Sequence, residues 1–97
     1  MKNIMYDNII LIITSKDDID YIINKAIELK DLNKSNLYFI ASPEVEFIHE
    51  VVKYYEFTFK DYVIMPINSM KRIKEIIMSF GIKDNCYFLP EKYNHLF

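Results

Sequence analysis

Apolar residues recur along this chain in two alternating rhythms. From Asn8 to Thr14 the run N-I-I-L-I-I-T is apolar at successive positions and bounded by Asp7 and Ser15. A strand with no polar face must be buried on both sides, as central strands of parallel sheets are. Residues 37–41 (L-Y-F-I-A) and 62–65 (Y-V-I-M) read the same way, and 86–89 (C-Y-F-L) is a shorter fourth run suited to a sheet edge.

Between these runs the period becomes helical. Ile19, Ile22, Ile23, Ala26 and Ile27 form one stripe at i, i+3, i+4, i+7 and i+8. Ser15 with Asp18 matches a capping pattern for its start. A second helix is expected from Ser42, with Pro43 in the first turn and Glu44 at the positive helix end. Its stripe is Val45, Ile48, Val51, Val52 and Tyr55. A third runs from Asn68 or Ser69 through Met70, Ile73, Ile76, Ile77 and Phe80, and Gly81 supplies the stop.

The pattern predicts βαβαβαβ: one α/β domain over residues 1–97, a small three-layer open sheet of four mainly parallel strands. Parallel strands need such crossovers, and these are right-handed almost without exception. The most apolar strand, the first, belongs inside the sheet. This favours the order 2-1-3-4, a minimal doubly wound domain of the flavodoxin or Rossmann kind, over a half-barrel in the order 1-2-3-4.

Composition narrows the function classes. The chain is 52% hydrophobic and 27% charged, which suits a folded core and not a linker. A net charge of -2 lacks the basic footprint of a nucleic-acid binder. The longest apolar run, Ile9 to Ile13, is far short of the roughly 20 residues of a membrane span. With no secretory leader pattern and a single cysteine, Cys86, the expectation is a reduced, cytoplasmic protein without disulfides, metal or cofactor. One glycine in the whole chain leaves no phosphate-cradling loop of either common type.

Candidate chemistry is sparse, and the reading leans away from an enzyme, with no catalytic residues assigned. In the order 2-1-3-4 a ligand crevice would open beyond the carboxyl ends of the first and third strands. Thr14, Ser15, Ser42, Asn68, Ser69 and Lys71 stand there, hydroxyls, an amide and an ammonium competent to hold a small anion or nucleotide. Helix capping demands the same serines at the same places. Lys71, Arg72 and Lys74 form the main basic cluster, while His49 and His95 have no evident partners.

Two resemblances bear on this. Asp17 and Asp18 after the first strand are similar to the acidic pair of response-regulator receiver domains. The position of the receivers' phosphoaccepting aspartate is occupied by Met65 and Pro66. The order D-Y-V-I-M-P … F-G-I … Y-F-L-P … F from Asp61 to Phe97 resembles the last strand-helix-strand of the acceptor domain in retaining two-domain glycosyltransferases. It covers under half the chain, and that family's nucleotide-sugar domain and catalytic carboxylates would lie outside these residues.

Two stretches suit a partner better than a substrate. Residues 53–62 (K-Y-Y-E-F-T-F-K-D-Y) carry five aromatics, and the tail Y-N-H-L-F ends apolar. Tyr54, Phe57, Phe59, Tyr93 and Phe97 are therefore the candidate interface with a protein partner or a second copy. Core filling by Tyr55, Phe57 and Phe59 is the competing use, and an AT-rich coding sequence would by itself enrich aromatics. The expected function is a non-enzymatic protein-interaction or accessory module, with self-association as one form of it and small-anion or nucleotide binding at the carboxyl ends of the first and third strands as the alternative.

Overall fold

The computed structural model describes residues 5–14 and 18–95. In chain order the elements are β1 (Asn8–Ile13), α1 (Ile19–Asn33), β2 (Asn36–Ala41), α2 (Ile48–Tyr55), β3 (Asp61–Ile64), α3 (Met70–Ser79), β4 (Cys86–Leu89) and a 3-10 helix, η1 (Glu91–His95). The strands form one wholly parallel sheet in the order β3-β2-β1-β4. The α/β alternation is thus as the periodicity predicts, and β4 lies at an edge.

The favoured strand order is corrected. β2, not β3, lies beside β1 on that side, and β3 is the outer strand. The reason is apolar content. β1 and β2 bury five consecutive residues each, whereas β3 is short, with Asp61 and Tyr62 exposed. The two strands that can tolerate burial on both faces take the centre. This is the start of the Rossmann order 3-2-1-4-5-6 and not the flavodoxin order 2-1-3-4-5.

Two apolar clusters follow from the two-residue alternation of strand side chains. Ile9, Leu11, Ile13, Leu37 and Phe39 pack with Ile22, Ile23 and Ala26 of α1 and with Ile48 and Val52 of α2. Ile10, Ile12, Tyr38 and Ile40 pack on the opposite face against Ile73, Ile76 and Ile77 of α3. Two helices therefore cover one face and one helix the other.

Two helix starts differ from expectation. The N-cap of α1 is Asp18, whose carboxylate accepts from Tyr21 N at 3.2 Å; Ser15 and Asp17 lie outside the described residues. α2 begins at Ile48, six residues after Ser42, because Phe47 takes left-handed backbone angles (φ 59°). Ser42 closes a turn instead, its Oγ accepting from Glu44 N at 3.3 Å. α3 starts as read: Ser69 Oγ accepts from Arg72 N at 3.2 Å. At its far end Gly81 turns with φ 80°, an angle that glycine takes without strain.

Candidate functional site

Strand order decides where a crevice can open. Connections leave β1 toward β2 on one side, and the chain returns to β4 on the other, so direction reverses between β1 and β4. A cleft of about 310 Å³ lies there, lined by Asp18, Tyr21, Ile22, Lys25, Pro90 and Glu91 among others. Its cation is engaged, because Lys25 Nζ pairs with a Glu91 carboxylate oxygen. The hydrogen bond to Glu91 raises the Lys25 pKa. The same bond from Lys25, with a smaller contribution from the Tyr87 hydroxyl, lowers that of Glu91. With Asp18 at the rim, this cleft carries more negative than positive charge.

The residues expected to bind an anion are not brought together around that cleft. Thr14 follows β1 and is partly buried, while Ser15 lies outside the described residues. Ser42 is buried after β2, its N–H donating to Ile13 O at 3.1 Å. Asn68, Ser69 and Lys71 are exposed beyond the outer strand β3, with β2 between them and β1. The crevice expected between the first and third strands is therefore displaced by the observed order.

The aromatic candidates divide by exposure. Phe59 is buried and stacks on Phe39, ring centroids 4.6 Å apart at an interplanar angle of 8°. Tyr93 is buried in the α3-side cluster, and Phe97 lies outside the described residues. Phe59 and Tyr93 thus belong to the core and not to a partner surface. Tyr54 and Phe57 stand out into solvent, 81% and 97% exposed, and Phe47 joins them at 66%. Core filling accounts for Phe59 and, in part, Tyr55, but not for Phe57.

One contact invisible in the sequence shapes the β4 edge. The Asn94 side chain accepts from Phe88 N at 2.8 Å and donates to Phe88 O at 2.9 Å, as a neighbouring strand would. Nearby, a groove of about 530 Å³ is floored by Ile77, Ile82 and Phe88, with Lys74 and Lys83 at its rim. Cys86 also lines it. Burial first, then Asp84 and Asp7, push its thiol pKa up, and the thiol donates to Asp84 O at 3.4 Å. That keeps the sulfur protonated and poorly nucleophilic.

Among the described residues no group of three or more His, Cys, Asp and Glu side chains gathers as a metal site, and no helix is long and apolar enough to cross a membrane. His49 and His95 are exposed. No family model, characterised protein or solved structure matches the chain.

Proposed function

We propose that the protein is a non-enzymatic α/β module that works by binding another protein. The observation that carries this reading is the aromatic surface at the end of α2, where Tyr54 and Phe57 are held in water beside a Phe59 that is buried. Aromatic side chains each offer about 150–250 Å² of contact area. They are enriched at the centres of interfaces, where Tyr in particular carries binding energy. The anion reading has less support, because the Ser42 and Ser69 hydroxyls already accept backbone amides. A reduced, cytoplasmic setting fits a chain with a single cysteine and so without an internal disulfide.

A photoreactive phenylalanine analogue replacing Phe57 in the full chain tests this in the native host. A discrete adduct with one protein, reduced several-fold by Tyr54→Ser, is the expected result. A diffuse pattern equal to that from the same analogue at Lys83 overturns the reading.

A further inference from the structure

Three aromatic side chains along α2 lie outside both apolar clusters. Phe47 comes just before the helix, Tyr54 is in its last turn and Phe57 follows its end, and all three are exposed. The charges around these rings are mostly of one sign. Residues 44–57 hold four glutamates, Glu44, Glu46, Glu50 and Glu56, against one lysine, Lys53. All four glutamates are exposed, and among the described residues none of them forms an ion pair, whereas Glu75 and Glu91 on other surfaces do. Glu50 stands one turn before Tyr54, on the same side of α2. Glu46 and Glu56 are the chain neighbours of Phe47 and Phe57. α1 adds another carboxylate, since Asp20 is close enough to Tyr55 to raise its pKa after burial and Tyr54 have done so.

Exposed aromatics by themselves suit a nucleic acid, a membrane surface or a protein. The carboxylates decide among these, because they repel the phosphates of nucleic acids and of anionic lipids. We propose that α2 docks a basic protein segment, one in which arginines flank an apolar anchor. The proposal rests on the reading of the protein as an interaction module and adds the chemistry of its partner.

Charge complementarity selects this occupant. The anchor packs against the rings of Tyr54 and Phe57, which are the most exposed of the three. Each flanking guanidinium has two uses there: it stacks on an aromatic face, and it donates to a glutamate carboxylate in the planar, paired geometry that lysine lacks. An acidic segment with the same apolar anchor meets like charge instead, so the glutamates set specificity where the aromatics set contact area. The same field draws a basic segment in from solution, and salt weakens that attraction.

The test maps, by mass spectrometry, the contact made by the photoreactive analogue at Phe57 of the full chain in the native host. The expected adduct is on a protein segment whose flanking residues include arginine and carry more Lys and Arg than Asp and Glu. Glu50→Lys with Glu56→Lys should cut its yield by about tenfold or more, since like charges then face each other. Glu75→Lys with Asp84→Lys makes the same change in net charge on the α3 side of the sheet and should leave the yield unchanged. Two results overturn the proposal while the interaction reading stands: a discrete adduct on an acidic or neutral segment, or a yield that the two double variants move alike or not at all. No discrete adduct, or one on lipid, removes both.

Discussion

At the scale of single residues, neighbours in sequence have opposite fates for reasons of direction. Phe57 and Phe59 are two positions apart, yet Phe57 is 97% exposed and Phe59 6%. Phe59 is buried because the turn after α2 delivers it onto Phe39, on the same sheet face that α2 covers. Removing its ring leaves a cavity in a stacked pair, so Phe59→Ala should destabilise the fold by about 3–5 kcal/mol. Phe57→Ala should shift stability by less than about 0.5 kcal/mol. Urea unfolding of the two variants measures the difference. Similar values for both would show that Phe57 has an intramolecular role. The sequence offered five aromatics in ten positions without this division, because burial depends on where the chain turns and not on residue type.

At the scale of elements, local rules read the strands and α3 well and the other helix starts less well. Ser69 and Gly81 bracket α3 as capping chemistry requires. Ser42 has the same cap chemistry, yet the chain makes turns from Ser42 to Ile48 first, with Phe47 in the left-handed region. Keeping Val45 and Ile48 both buried on the sheet is the outcome of that detour. The end of α1 shows a cleaner conflict between residue type and backbone. Lys34 closes the helix at φ 56° and ψ 43°, its N–H donating to Lys30 O. A residue with a Cβ costs about 1–2 kcal/mol there, while glycine gives back part of the gain through unfolded-chain entropy. Lys34→Gly should therefore stabilise the protein by about 0.5–1 kcal/mol. A Tm higher by about 2–6 °C in thermal circular dichroism is the expected reading. A lower Tm would mean that the lysine side chain holds the turn.

At the scale of the whole molecule, one ion pair ties distant parts of the chain together. Lys25 of α1 and Glu91 of η1 are 66 residues apart and meet across the β1–β4 cleft. Glu91 has its folded pKa lowered from the usual 4.5, chiefly by the hydrogen bond from Lys25. Its contribution to stability is therefore complete above pH 4.5 and lost as pH falls through the lowered folded value. Lys25, raised from 10.5, keeps its contribution below that pH and loses it as pH climbs through the raised folded value. Glu91→Gln should lower Tm slightly at neutral pH, and the gap from the unmodified protein should close well below pH 4.5. The pair is exposed, so the effect is small and shrinks in salt. A gap that persists in acid would assign the effect to packing of η1.

The amino-acid sequence by itself determined the alternation of strand and helix, because burial imposes a period of two on strands and 3.6 on helices wherever the residues sit. It also marked β1 and β2 as apolar enough to lie inside a sheet, but read the third run the same way, and that run became the outer strand. Only the tertiary structure decided the order β3-β2-β1-β4, since strand neighbours are chosen by competition among all four runs for the doubly buried places. That choice moved the topological crevice from the β1–β3 side to β1–β4 and set Asn68, Ser69 and Lys71 at the far edge. It also set Asn94 against Phe88 at the β4 edge. Contacts between strands far apart in sequence leave no periodic trace, so which strands become the edges is a property of the fold.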